Sequence, residues 1–165
     1  MKDSSVSDSF IKQISENKGI IHKICNIYCN NLDEKKDMMQ EITLQLWKSF
    51  PNFQGSSKFS TWMYRISINT AITNIRKSKR HPLMEALFES EIELPEKEDM
   101  AEMDDDVNQL YKAIAKLKEV DRAIILLYLE EKSYNEISEI LGLSEKNISV
   151  KLVRIKVKLE KILTS

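Results

Sequence analysis

The chain has 165 residues, 25 basic against 26 acidic side chains for a net charge of −1, and 42% apolar residues. That composition suits one domain or two small ones with a real core, and argues against a disordered or fibrous chain. No apolar run approaches the roughly 20 residues of a membrane helix, and the opening Met-Lys-Asp-Ser-Ser-Val-Ser-Asp-Ser holds no apolar signal region. A cytoplasmic protein without direct membrane insertion is therefore expected. Only three Gly and three Pro, among many Ile, Leu, Lys and Glu, predict an all-α fold.

The first predicted helix runs from about Ser7 to Cys29, with Phe10, Ile14, Ile21, Ile24 and Tyr28 as its buried stripe. His22, Cys25 and Cys29 share one flank. A structural zinc site normally closes with four ligands, so the two cysteines read as small core residues and no metal is expected. No disulfide is expected in the cytoplasm. Asn30-Asn31 breaks this helix. A second helix runs from near Asp33 to Phe50, with Met39, Ile42, Leu46 and Phe50 facing inward, and Pro51 stops it. Its other face carries Asp37, Gln40, Glu41, Leu44 and Lys48. A leucine ringed by acids and an amide is either a partner patch or an ordinary solvated face with one stray apolar residue.

After a short loop, Asn52 to Ser57 with Gly55, a third helix spans about Lys58 to Lys77. At 100° per residue, Trp62, Arg65, Asn69 and Arg76 fall on one line, spaced 3, 4 and 7. Phe59, Met63 and Ile66 lie to one side of it, and Tyr64, Ile68, Ala71 and Ile75 to the other. A ring, two guanidiniums and an amide on one line suit opened nucleic acid: the ring stacks on an unpaired base, the cations meet phosphates and the amide reads a base edge. The helix ends in the basic run Arg76-Lys77-Ser78-Lys79-Arg80. From Ile42 to Met84 there is no acid, but there are seven bases. That segregation points to nucleic-acid contact.

The charge then inverts. From Glu85 to Asp106 there are eleven acids and one base, Lys97. With Pro82 and Pro95 and weak periodicity, this stretch reads as a linker. The predicted architecture is two small helical domains, residues 1–81 and 106–165, joined by an acidic linker over 82–105.

In the second domain, Val107, Leu110, Ile114 and Leu117 predict an amphipathic helix. Ile124 to Leu129 is apolar enough for a central helix. Ser133, with Glu136 three residues on, makes a capping box for a short helix to Leu141, and Gly142 suits its C-terminal end. Ser144 caps a last helix to about Leu163, with Ile148, Leu152, Ile155, Leu159 and Ile162 as its buried seam. A short helix, the turn Gly142-Leu143-Ser144 and a longer basic helix make a helix-turn-helix pattern. The exposed side of the last helix begins with Glu145, Lys146, Asn147, Ser149 and Val150, and continues through Lys151, Arg154 and Lys158. From Lys146 to Lys161 there are six bases against Glu160 alone. Such a helix places its first turns in the major groove and its later bases on phosphates, and an exposed valine can meet a thymine methyl. A ligand-free helical hairpin would show the packing pattern but has no need of the basic face.

No nucleophile–base pairing, phosphate-cradling glycine loop or metal-ligand set is present, so neither an enzyme, a cofactor nor a small-molecule substrate is expected.

Three segments in order resemble the sigma-70 family of bacterial RNA polymerase sigma factors, and within it the small extracytoplasmic-function (ECF) group. Asp37-Met-Met-Gln-Glu41-Ile-Thr-Leu-Gln-Leu-Trp47 is similar to the family's polymerase-binding segment. Phe53-Gln-Gly-Ser-Ser-Lys58-Phe-Ser-Thr-Trp62-Met-Tyr-Arg65-Ile-Ser-Ile-Asn69-Thr-Ala-Ile is similar to its promoter −10 segment. Tyr134-Asn-Glu-Ile-Ser-Glu-Ile-Leu-Gly142-Leu-Ser-Glu-Lys-Asn-Ile148-Ser-Val-Lys-Leu152 is similar to its −35 helix-turn-helix. The resemblance implies that Asp37, Gln40, Glu41, Leu44 and Trp47 bind core RNA polymerase. It implies −10 contacts by Lys58, Thr61, Trp62, Arg65, Asn69, Arg76, Lys77 and Arg80, and −35 contacts by Ser144, Glu145, Lys146, Asn147, Ser149, Val150, Lys151 and Arg154. It also implies an anti-sigma factor as a further partner. Asn147, Ser149 and Val150 depart from the residues common in that group, which leaves the base preference open. The competing expectation is a helix-turn-helix regulator that acts without replacing the sigma subunit. It accounts for the second domain but not for the Trp62–Arg76 line.

Overall fold

The computed structural model of the chain describes residues 2–79 and 104–165. Most of the expected linker (residues 82–103) and the expected −10 residue Arg80 lie outside them. The described residues form eight α-helices: α1 (Lys2–Glu16), α2 (Lys18–Tyr28), α3 (Leu32–Ser49), α4 (Phe59–Lys79), α5 (Asp105–Ala115), α6 (Glu119–Leu129), α7 (Tyr134–Leu141) and α8 (Glu145–Thr164). One 3₁₀ turn, Phe50–Asn52, follows α3. The all-α expectation holds.

The long first helix does not. Asn17 leaves the helical region at φ −120°, ψ 16° and separates α1 from α2. Its side-chain Nδ2 donates to the Gln13 carbonyl at 2.9 Å and its backbone N–H to the Ile14 carbonyl at 3.1 Å. Asparagine competes for backbone groups in this way, and Gly19 two residues on weakens helix continuation. Ile20, Ile21, Ile24, Cys25, Ile27 and Tyr28 are buried along α2.

Asn31 caps α3, its side chain accepting from the Glu34 N–H at 2.8 Å, while the Glu34 carboxylate accepts from the Asn30 N–H at 2.9 Å. This reciprocal pair satisfies donors that a helix start leaves open. The inward line of α3 is Met38, Ile42 and Leu46, spaced by four. Met39, expected on that line, is half-buried one position round. Against α2 and α3 packs α4, through Met63, Tyr64, Ile68, Ala71 and Ile72.

In the second group the inward face of α5 lies one position round from the expected stripe, so Val107 is exposed rather than buried, while Asn108, Ala113 and Ile114 turn inward. Arg122 ties the α5–α6 junction, donating to the carbonyls of Leu117 at 2.8 Å and Ala115 at 2.7 Å. Helix α6 is buried from Ala123 to Leu127, but its expected last members Tyr128 and Leu129 are exposed.

Local chemistry builds the helix-turn-helix. Ser133 accepts from the Glu136 N–H and Ser144 from the Asn147 N–H, each at 3.1 Å. Gly142 ends α7 at φ 71°, a left-handed conformation that side chains with a Cβ resist. The Ser138 hydroxyl then donates to the Leu143 carbonyl at 2.6 Å and closes the turn. Ile137 and Ile140 of α7 meet the seam Ile148, Leu152, Ile155 and Leu159 of α8. The buried residues of both groups join in one apolar cluster, because α5, α6 and α7 also pack against α2 and α4.

Candidate nucleic-acid interface

Helix α4 carries the predicted line on its outer side. Arg65, Asn69, Arg76 and Lys77 are exposed, as is Lys58 just before the helix. Trp62 is half-buried. Its ring lies 5.1 Å from Phe53, 5.2 Å from Phe59 and 6.2 Å from Phe50, centroid to centroid. The cluster continues through Phe50 and Phe10 to Trp47, with centroids 5.2 and 5.1 Å apart. Trp62 therefore forms a wall beside the Phe53–Lys58 loop, where a base could stack on the part left open. Thr61, grouped with these residues by resemblance, is 4% exposed and does not share the outer line. Arg65 is exposed but engaged: its Nε and Nη2 donate to the Glu139 carbonyl of α7 at 3.2 and 2.7 Å.

On α8 the first turns present Lys146, Asn147 and Val150 to solvent, with Arg154 and Lys158 further along. Ser149 and Lys151 are half-buried. Glu145 is exposed but accepts from the Asn135 side chain at 3.1 Å, a bond within the helix-turn-helix. Ser144 is occupied as the helix cap. Val153 and Val157, 63% and 48% exposed, extend Val150 into an apolar line opposite the buried seam. Their successive steps of 3 and 4 from Val150 to Val153 to Val157 were readable in the sequence and point the same way as the basic residues. Lys156 sits 3.0 Å from the Tyr128 hydroxyl and 4.3 Å from its ring centroid, contacts that raise its pKa.

The outer face of α3 presents Asp37, Gln40, Leu44 and Trp47, with Glu41 half-buried beside them. Sequence reasoning missed that α1 completes this surface. Ser7, Phe10 and Ile11 face Met39, Gln40, Thr43, Leu44 and Trp47 across an apolar groove of about 570 Å³. The periodicity of α1 alone could not show this, because the groove exists only once α1 folds back along α3.

Cys25 and Cys29 are buried, and His22 on the same flank is exposed. The hydrogen bond between the two thiols lowers the pKa of Cys25 and raises that of Cys29, to which burial adds. Among the described residues no three or more His, Cys, Asp or Glu gather where they could hold a metal ion. No helix among them is long and apolar enough to cross a membrane.

Residues 14–81 match the sigma-70 region 2 family and residues 108–159 match the sigma-70 region 4 family. The ECF RNA polymerase sigma factor SigW of Bacillus subtilis is 30% identical over 160 residues, covering 89% of this chain and 84% of that protein. The ECF RNA polymerase sigma-E factor of Escherichia coli is 32% identical over 136 residues, covering 73% and 70%. Among solved structures, the sigma factor RpoE of Bartonella quintana, in complex with the anti-sigma factor NepR, superposes with a TM-score of 0.73 at 18% identity, over 94% of this chain and 97% of that one. CnrH, in complex with the cytosolic domain of CnrY, gives 0.64 at 17% identity, over 96% and 89%. With both regions matched in order and a 30% identical relative aligned over 89% of its length, the chain belongs to the sigma-70 family, as an RNA polymerase sigma factor of the ECF group.

Proposed function

We propose that residues 1–81 bind core RNA polymerase and capture the opened −10 element, that residues 106–165 read the −35 element as duplex, and that the acidic stretch 82–105 tethers them. The observation that carries this reading is the pairing of two different nucleic-acid surfaces on one chain. The α4 line combines a half-buried tryptophan with exposed Arg65, Asn69, Arg76 and Lys77, which suits unpaired bases and their backbone. The α8 face combines Lys146, Asn147 and Val150 with Arg154, which suits a major groove and its phosphates.

Opening a duplex costs unstacking, so the melting surface must bind bases only when they are unpaired. Trp62, Asn69 and Arg65 supply the ring, the amide and the cation for that state, with Lys58, Arg76, Lys77 and Arg80 along the backbone. Thr61 is buried beside Trp62, behind the exposed residues of the line. Ser144 and Glu145 set the start of α8, while Ser149 and Lys151 flank its reading face. Asp37, Gln40, Glu41, Leu44 and Trp47, with Phe10 and Ile11 across the groove, form the polymerase contact. Tethering multiplies two modest DNA affinities. The protein works in the cytoplasm as a non-catalytic subunit, and an anti-sigma factor holds it inactive, as the complexes of RpoE with NepR and CnrH with CnrY suggest by analogy. A regulator that leaves the sigma subunit in place has no use for the α4 line. Run-off transcription with core enzyme and genomic promoter fragments tests the reading. Specific transcripts that require the chain support it, and their absence on all fragments refutes it.

A further inference from the structure

The valine line of α8 has no use in reading DNA beyond its first member. A recognition helix puts its first turns into the major groove. Val157 lies 12 residues after Glu145, about 18 Å further along the helix. Yet Val153, at 63%, is the most exposed large apolar side chain among the described residues. Cations flank the line. At 100° per residue, Arg154 and Lys158 fall on one side of it and Lys156 on the other, and all three are exposed. A DNA backbone gives these cations partners but offers the two valines only phosphate and water. A polypeptide that interleaves carboxylates with apolar side chains matches both.

The chain carries such a sequence between its two helical groups, outside the described residues. Leu87, Phe88, Ile92 and Leu94 are interleaved with Glu89, Glu91 and Glu93, and no base stands among them. The described chain resumes at Asp104, which caps α5, and α5 packs against α8. The ten residues from Leu94 to Asp104 span about 33 Å when extended, and the eight from Lys79 to Leu87 about 26 Å. Helix α8 itself is only about 30 Å long. We propose that residues 87–94 dock on the outer face of α8, their apolar side chains on Val153 and Val157 and their carboxylates on the flanking cations. Tethering sets an effective concentration of roughly 1 mM, so an intrinsic dissociation constant of about 0.1 mM leaves about a tenth of the face free. Apparent affinity for duplex then falls about tenfold. That competition rests on the −35 reading of α8 above; the docking does not.

A carbodiimide joins a lysine amine to a carboxylate in contact as an amide and takes up the water as a urea. Mass spectrometry of the digested full-length chain should find amides between the acids of 89–93 and the lysines of 146–158. Excess mixed-sequence duplex DNA should lower their yield several-fold. The full chain carrying Glu89→Gln, Glu91→Gln and Glu93→Gln should bind that duplex at low salt at least fivefold more tightly than the parent. Glu98→Gln, Asp99→Asn and Glu102→Gln together change the net charge equally, and should alter binding less than twofold. Val153→Ser with Val157→Ser should keep the helical spectrum, lower the cross-link yield several-fold and tighten duplex binding. Absence of the cross-links, equal gains from the two acid triplets, or weaker duplex binding by the valine variant overturns the proposal. None of these readouts uses polymerase or a promoter, so a chain that directs no run-off transcription sinks the sigma reading while the cross-links still decide the docking.

Discussion

Replacing Trp62 with alanine removes a half-buried ring and three aromatic neighbours, Phe53, Phe59 and Phe50, at 5.1 to 6.2 Å. Each such pair is worth about 0.5–1.5 kcal/mol beyond the area it buries. The total for a partly exposed ring is about 2–4 kcal/mol, below the 3–5 kcal/mol or so of a fully buried Trp→Ala change. At roughly 2–4 °C per kcal/mol, the melting midpoint should fall by about 5–15 °C. A domain with roughly 5–15 kcal/mol of stability survives that at 20 °C or so. Asn69 is exposed on the same line, and Asn69→Ala should change stability by less than about 0.5 kcal/mol. Losing one stacked base costs about 1–3 kcal/mol, or roughly 5- to 150-fold in open complexes. Circular dichroism melts give the stability term. Footprinting and permanganate reactivity with core polymerase, at a temperature where both variants are folded, give the functional one. Closed complexes should survive, reactive thymines should disappear, and a pre-melted −10 bubble should not restore capture. If Asn69→Ala opens DNA like the parent, or Trp62→Ala loses opening only in proportion to its unfolded fraction, the α4 line is structural and the assignment fails.

Leu44→Asp with Glu41→Lys changes the rim of the α1–α3 groove, where Leu44 is 45% exposed. Binding to core polymerase should fall by about 2 kcal/mol or more, roughly 30-fold, with an unchanged helical spectrum and cooperative melt. A lost melt would mean this face is core. Arg154→Ala should weaken promoter binding across sequences and reduce the magnitude of the salt slope by about 1, whereas Lys146→Ala and Val150→Ala should change which −35 sequences are selected. Equal effects of all three on every sequence would refute that division. Burial, with Glu130 adding, pushes the Tyr64 pKa up from 10.0 to about 12. The folded state therefore holds this proton more tightly than the unfolded chain. Its contribution is intact below pH 10 and is lost as the pH rises to about 12. Tyr64→Phe should flatten the fall in melting midpoint over that window, and an unchanged slope would contradict the assignment.

Features coded by neighbouring residues were legible in the sequence. Ser133, Gly142 and Ser144 set the helix-turn-helix boundaries because each acts on its own backbone within a turn. The α4 line followed from helical spacing, since Met63, Ile68 and Ala71 are fully buried while Arg65 and Asn69 stay outside. What depends on distant partners was not legible. The break at Asn17 competes with a strong apolar stripe that runs through it. Val107 keeps the helical period, but the inward face of α5 lies one position round, where Asn108 is buried. Phe10 reads as core from its spacing, yet it also walls the groove beside Trp47. The Arg65–Glu139 contact joins residues 74 positions apart, and no local pattern encodes it.

The most direct measurement is promoter binding by the purified chain, with and without core RNA polymerase, at physiological salt. On the proposed assignment each unit makes few DNA contacts, and in the folded chain Arg65 is turned toward Glu139. Electropherograms should show no sequence-specific shift with the chain alone, and a specific complex with reactive thymines around the −10 element when core enzyme is added. Tight sequence-specific binding by the free chain, undiminished without polymerase, would contradict the account.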